Sequence, residues 1–176
     1  PFKKNIVKIA DDGEILVKGE NVMLGYWKNE EETNKVLKNG WLATGDIGEF
    51  EGEFLKITDR KKDIIITPGG DNISPIKIEN DLNKSNFIEQ SLVYGDNKPY
   101  LVSLIVLGQE YKNINEQQIQ NEVDKINKNL SKIEKIKKFF IIKNSFTIEN
   151  NMMTPTLKLK RYKIIKNYKA ELEKLY

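Results

Sequence analysis

The groups best suited to chemistry fall in three short segments. Trp41-Leu42-Ala43-Thr44-Gly45-Asp46 ends in a tripeptide suited to a turn, with a carboxylate at its exit. A carboxylate accepts two hydroxyl protons at once, which is what the 2′ and 3′ hydroxyls of a ribose offer. Thr58-Asp59-Arg60-Lys61-Lys62-Asp63 follows a short hairpin and carries one of only two arginines among 29 basic residues. A chain that otherwise uses lysine for positive charge places arginine where a planar, multi-donor fork is needed. Arg60 is therefore a candidate donor to the same sugar or to a phosphate, the plainer alternative being a surface salt bridge. The second arginine, Arg161, closes Thr154-Pro155-Thr156-Leu157-Lys158-Leu159-Lys160-Arg161. Thr154 to Leu157 form a stiff, uncharged loop ahead of a basic tail, and such a loop can deliver the Lys158 ammonium to a site elsewhere. A cation aimed at charge developing between a carboxylate and an α-phosphate is worth about two to three orders of magnitude in rate.

The elements that must position these groups fall into two blocks. Ile6 to Ile9 and Glu14 to Lys18 flank Asp11-Asp12-Gly13, a hairpin signal. Asn29 to Lys38 reads as a short helix, and Glu49 to Ile57 as a second hairpin with its turn at Glu51-Gly52. This block has few large apolar residues for so many strand edges, so it is expected to pack against something further. After Lys62 the pattern changes. Ile64 to Ile66 reads as a buried strand, Thr67 to Asn72 as a loop, and Ser74-Pro75 as an N-cap and N1 proline opening a helix. Ile88 to Tyr94 and Tyr100 to Leu107 are strands around the turn Gly95 to Pro99. Ile119, Val123, Ile126 and Leu130 recur at helical spacing over Glu116 to Leu130, Phe139 to Ile142 is a further strand, and Ile165, Tyr168, Leu172 and Leu175 mark one final helix. The fold class expected is α+β. Residues 1–61 form a β-rich piece, and residues 62–176 a compact domain with a small, mainly antiparallel sheet flanked by helices.

Composition removes whole classes of mechanism. Zero cysteines exclude a disulfide, a thiol nucleophile and a thiolate metal site, and zero histidines remove the commonest general base and zinc ligand. No apolar run approaches the ~20 residues needed to span a bilayer, and Pro1-Phe2-Lys3-Lys4 leads into no signal-peptide core. A cytoplasmic protein is expected, with peripheral attachment to a membrane surface kept open. The net charge is +3, unevenly spread: from Lys158 to Tyr176 there are seven Lys/Arg against Glu171 and Glu173. That tail suits a solvated helical face, a polyphosphate ligand or an anionic membrane. No stripe of aromatics accompanies the lysines, which argues against nucleic acid.

Taken together, the motifs resemble the adenylate-forming acyl-CoA synthetases and, within them, the long-chain fatty acid CoA ligases. Gly13 to Gly19 with Met23-Leu24-Gly25-Tyr26-Trp27 is similar to the family's strand and G-Y-W segment, and Gly40-Trp41 with Thr44-Gly45-Asp46 to its W-x-x-T-G-D segment. Asp59-Arg60-Lys61-Lys62-Asp63 resembles the inter-domain hinge motif, and Thr154 to Arg161 the terminal catalytic loop. Where the family generally has P-K-T-x-x-G-K, this chain has Met152-Met153-Thr154-Pro155-Thr156-Leu157-Lys158, and Gly69-Gly70-Asp71-Asn72-Ile73-Ser74-Pro75 resembles G-G-x-N-I-x-P. Both forms are similar to the long-chain branch.

The resemblance implies two half-reactions. A fatty acid carboxylate attacks the α-phosphate of Mg-ATP to give acyl-adenylate and pyrophosphate, and CoA thiol then displaces AMP. It implies Lys158 as the catalytic lysine, Thr44, Asp46 and Arg60 at the nucleotide, and Lys62 as the hinge. Gly69 and Gly70 would lie beside the pantetheine path, with Arg161 anchoring the catalytic loop. ATP, Mg2+ and CoA are the implied ligands, with no metal ligand expected in this stretch and most of the ATP and Mg2+ contacts expected from a large N-terminal domain preceding Pro1. The chain on its own is expected to be inactive. Two other readings stay open: a carrier-protein-loading adenylation enzyme, and a non-catalytic module whose basic tail binds a membrane or an acidic partner.

Overall fold

The computed structural model describes residues 4–176, so Pro1, Phe2 and Lys3 lie outside the described residues. The chain divides into two compact units, one ending at Lys62 and the other running from Asp63 to Tyr176.

The first unit is a five-stranded antiparallel sheet with one helix. Strands β1 (Ile6–Ile9) and β2 (Glu14–Lys18) form the hairpin expected around Asp11-Asp12-Gly13, with Val7 opposite Val17. Helix α1 (Glu30–Val36) opens on Asn29, whose side chain accepts the Glu32 N–H and so satisfies one of the free donors of the first turn. The two-residue β3 (Leu37–Lys38) then pairs with the start of β4 (Trp41–Glu51), and β5 (Phe54–Arg60) with its later half, while β2 lies along the other edge of β4. Glu51 faces Phe54, so the connecting loop is Gly52-Glu53, one residue later than the alternation suggests.

One expectation is overturned here: Thr44-Gly45-Asp46 is not a turn. It lies inside the eleven-residue β4 as a bulge, since Ala43 faces Leu16 and Ile47 faces Glu14, leaving three residues of β4 opposite Ile15 alone. Gly45 adopts φ +72°, a left-handed conformation that costs glycine little, and this lets the strand absorb the extra length and continue.

In the second unit, β6 (Ile65–Ile66) and β7 (Asn72–Ile73) form a small hairpin. Ile65 is buried but Ile66 is half exposed, so the Ile64 to Ile66 run is buried on one side only. Helix α2 (Pro75–Leu82) starts as expected, with Pro75 in the first turn and Ser74 accepting the Lys77 N–H. The main sheet has β9 (Leu101–Leu107) between β8 (Ile88–Tyr94) and β10 (Ile136–Ile142). β8 and β9 are antiparallel, as a tight connection demands. β10 runs parallel to β9, because helix α3 (Glu116–Asn127) carries the chain back before the third strand is laid down. The final segment is two short helices, α4 (Arg161–Asn167) and α5 (Lys169–Glu173). The expected single helix breaks at Tyr168, whose φ −106° and ψ 24° lie outside the helical range.

Every residue of β9 is buried, and its side chains alternate between two cores. Leu101, Ile105 and Leu107 face Ile78 and Leu82 of α2 and Ile119 and Val123 of α3. Val102, Leu104 and Val106 face Phe146, Ile164 of α4 and Leu172 of α5. The unit is thus a sheet between two helical layers. The outer edge of β8 is closed by side chains rather than by a strand: Gln90 both donates to the Phe146 carbonyl (2.9 Å) and accepts the Phe146 N–H (2.7 Å). No helix among the described residues is long and apolar enough to cross a membrane.

Candidate functional site

The β4 bulge presents the first group of candidates. Asp46 and Arg60 face one another across the β4–β5 pairing, and Arg60 Nε donates to Asp46 Oδ1 at 2.8 Å. The structure therefore joins the carboxylate and the fork that lie fourteen positions apart in sequence. Asp46 is partly buried while Arg60 is half exposed, so the pair itself adds little to stability; its oxygens and guanidinium N–H groups line a reachable surface. Thr44 takes a structural part. Its hydroxyl donates to the Ile15 carbonyl (2.8 Å) and accepts the Asp46 N–H (3.1 Å), so it clips the bulge to β2 and aims the residue that follows.

Glu14 is a residue that sequence reasoning passed over. It is buried at the start of β2, with Oε1 accepting the Gly45 N–H (2.9 Å) and Oε2 accepting from Lys61 Nζ (2.8 Å). Asp12 Oδ2 takes the same ammonium at 2.6 Å. These two carboxylates raise the Lys61 pKa, and the lysine in turn holds the Asp12 carboxyl below the ordinary aspartate range. Lys62 follows in a single exposed turn, Lys61–Asp63, at the junction of the two units.

The second unit carries Lys158, Gly69, Gly70 and Arg161. Met153 and Leu159 pair as an isolated bridge, and within that bridge the Thr154 N–H donates to the Lys158 carbonyl (2.8 Å) while Thr154 Oγ1 accepts the Lys158 N–H (3.0 Å). The Leu157 N–H also donates to the Thr154 carbonyl (2.9 Å), and Leu157 sits at φ +59°. The backbone of Lys158 is thus fixed from both sides. Its side chain is exposed, and its ammonium has no hydrogen-bond or ion-pair partner among the described residues.

Arg161, the first residue of α4, is largely buried. One guanidinium nitrogen bonds Glu79 of α2, and Nη2 donates to the Val93 carbonyl of β8 at 2.7 Å. Glu79 Oε1 in turn accepts the Val93 N–H at 2.7 Å. The fork therefore ties the exit of the lysine loop to α2 and β8, a bidentate arrangement that a lysine could not reproduce.

Gly69 and Gly70 form the tip between β6 and β7. The Gly70 N–H donates to the Thr67 carbonyl (2.9 Å) with Pro68 in the first corner, and Gly70 follows at φ +87°, a type I turn closed by a one-residue bulge. Beside this tip lies a cleft of about 570 Å³ lined by Thr67, Gly69, Asp71, Tyr100, Lys98, Lys132, Lys135 and Lys137. Lys98 is already paired with Glu173 at 2.7 Å; Lys132, Lys135 and Lys137 have no ion-pair partner among the described residues. The sequence carries no signal for this grouping, because each is one lysine in a lysine-rich chain. Among the described residues no group of three or more His, Cys, Asp or Glu side chains is placed to hold a metal ion.

The first unit thus carries an Asp–Arg surface at a strand bulge, and the second an unpartnered lysine on a pinned loop. Residues 62–176, well over half of the chain, match the family described as the AMP-binding enzyme C-terminal domain, and the chain belongs to that family. Its curated relatives include a long-chain-fatty-acid–CoA ligase of Mycobacterium tuberculosis, 36% identical over 198 residues that cover 100% of this chain and 33% of that protein. Long-chain-fatty-acid–CoA ligase 5 of Rattus norvegicus is also 36% identical, covering 98% of this chain and 29% of its own length. The chain thus spans about a third of the curated relatives it matches. Among solved structures, the A domain of a carboxylic acid reductase from Segniliparus rugosus, in complex with AMP and a co-purified carboxylic acid, superposes with a TM-score of 0.86 at 25% identity over 99% of this chain and 31% of that one. The o-succinylbenzoate coenzyme A synthetase of Bacillus subtilis, in complex with AMP, gives 0.73 at 30% identity over 92% of this chain and 34% of its own.

Proposed function

We propose that this chain is a C-terminal part of a long-chain fatty acid CoA ligase, comprising the end of the large adenylating domain (residues 1–61) and residues 62–176 of the small C-terminal domain. In the first half-reaction Asp46 accepts the ribose hydroxyls and Arg60 donates to the sugar or the α-phosphate. Lys158 supplies the cation that bridges the acyl carboxylate and that phosphate as pyrophosphate leaves. The unit from Asp63 onward then turns about Lys62. This withdraws Lys158 and brings the Gly69-Gly70 tip beside the thiol path, so that CoA displaces AMP. Lys132, Lys135 and Lys137 carry charge complementary to the CoA phosphates. Mg2+ belongs with the ATP phosphates, and the described residues offer it no ligand cluster, so no step here is assigned to it. The chain by itself should be inactive.

The observation that carries this reading is the Lys158 loop: a lysine fixed at its backbone from both sides, free at its ammonium, in the T-P-T-x-K setting. Its test is fatty-acid-dependent ATP/pyrophosphate exchange by the full-length protein across a chain-length series. Exchange should rise with long acyl chains, and exchange confined to short or aromatic acids would reject the substrate class. Catalysis of exchange by residues 1–176 alone would reject the division of labour. A second reading, a carrier-loading adenylation domain, draws on the similarity to a solved A-PCP didomain of carboxylic acid reductase with a TM-score of 0.86. It predicts acyl transfer to a carrier-protein phosphopantetheine in preference to free CoA.

A further inference from the structure

We propose that Glu14 is the positioning residue of the nucleotide half-site, a role that rests on the assignment of Asp46 and Arg60 to the nucleotide. Its two carboxylate oxygens reach two places far apart in sequence. Oε1 accepts the Gly45 N–H at 2.9 Å, and Gly45 immediately precedes Asp46. Oε2 accepts from Lys61 Nζ at 2.8 Å, and Lys61 immediately follows Arg60. One side chain therefore holds the neighbour of each member of the Asp46–Arg60 pair.

The need for such a brace follows from the bulge. Residues 44–46 have no regular pairing with β2, and Gly45 at φ +72° adds freedom rather than restraint. Without Glu14 the Gly45 N–H loses its acceptor, and on the β2 side only the Thr44 hydroxyl, through the Ile15 carbonyl, still fastens the bulge. The carboxylate of Asp46 would then sample several directions, and a ribose pair would meet it correctly only part of the time. Glu14 is 10% exposed, so its bonds are sheltered from competing water, and a bond to a charged acceptor is worth more there than on the open surface. A carboxylate is the one side chain of this length that accepts at both ends. Glutamine can serve Gly45 with its oxygen, but its amide then turns N–H donors toward the Lys61 ammonium.

The test uses the full-length protein, with adenylation followed by pyrophosphate exchange and the ATP, fatty acid and CoA constants measured separately. Glu14→Ala should raise the KM for ATP about tenfold, as expected for one charge-assisted bond, with the exchange kcat and the fatty acid and CoA constants little changed. Glu14→Gln should give an intermediate rise. Glu14→Gln combined with Lys61→Met removes the donor clash and should return the ATP KM to about twofold of the parent, a rescue that a purely structural role would not produce. If Glu14→Ala does not fold, the glutamine single and double variants carry the same test. An unchanged ATP KM, an equal loss for all three substrates, or no rescue in the double variant would overturn the proposal. Asp46→Ala, measured alongside, separates the two levels: if it leaves the ATP KM unchanged, the nucleotide assignment itself fails. If it raises the ATP KM while Glu14→Ala does not, Glu14 alone is misassigned.

Discussion

The two units differ in what holds their functional groups in place. In the first, Ile15 is the one buried apolar residue among those described, while Phe50, Phe54, Leu55 and Ile57 stand exposed along the β4–β5 hairpin. Asp46 and Arg60 are oriented by local polar bonds from Thr44, Glu14 and Lys61. In the second, two cores back a fully buried central strand, and the lysine loop is bolted to them by Arg161 and Glu79. A group that must hold one pose against an incoming nucleotide can be braced by short-range hydrogen bonds within a sheet. Under the proposed function, a group on a part that rotates as a body needs that body held together by its own core, and the second unit has such a core.

The sharpest way to break this contrast is to separate the units. Residues 63–176 expressed alone should melt cooperatively by circular dichroism, whereas residues 4–62 alone should show no transition, for want of apolar burial. A cooperative melt for the smaller piece would erase the distinction. Next in size, Arg161→Ala removes the cation bonded to buried Glu79 and should cost about 3–5 kcal/mol in denaturant unfolding of the second unit, with Arg161→Lys recovering only part because the link to Val93 is lost. Lys158→Ala should lower fatty-acid-dependent exchange by about 10²–10³-fold while sparing thioester formation from supplied acyl-adenylate and leaving the melting temperature unchanged. Equal loss in both half-reactions would remove its assigned role.

The smallest effect is a pH dependence confined to the second unit. Burial, with Tyr94 and Tyr100 close by, pushes the Tyr176 phenol well above the usual tyrosine range. The folded state therefore keeps a proton that the unfolded chain gives up near pH 10. This contribution is complete below that pH and disappears as pH rises beyond it, so the unit should weaken progressively in alkali. Tyr176→Phe should flatten the alkaline limb of its stability profile. An unchanged limb would mean that the ring stack with Tyr100, at 5.1 Å, is held without regard to ionisation.

Much of the fold could be read from local chemistry. Asp11-Asp12-Gly13 between alternating segments, and Ser74-Pro75 before an apolar-spaced run, are short-range signals that need no partner to interpret. The apolar run from Leu101 to Leu107 is the mark of a strand covered on both faces. What escaped was fixed by contacts distant in sequence. Thr44-Gly45-Asp46 has turn composition, and only β2 on one side and β5 on the other keep it within a strand. The parallel placement of β10 depends on where α3 returns the chain. The break at Tyr168 lets Ile164 and Leu172 both reach the second core. At the site, Asp46, Arg60 and Lys158 stood out by residue type and setting. Glu14 did not, because an acidic residue opening a strand after a polar hairpin looks solvated until Gly45 and Lys61 are seen on either side of its carboxylate.

Leu157 gives the lysine loop a built-in tension. It stands where the wider family's P-K-T-x-x-G-K pattern has glycine, in a left-handed conformation, with its side chain 68% exposed. A side chain there works against the backbone by about 1 kcal/mol, and it recovers nothing by burial within its own unit. Leu157→Gly should therefore slacken the coil and steady the unit by a comparable amount, while removing the exposed apolar side chain that precedes Lys158. The loop is in this sense a drawn bow, its backbone held under load with an exposed apolar side chain one residue before the lysine.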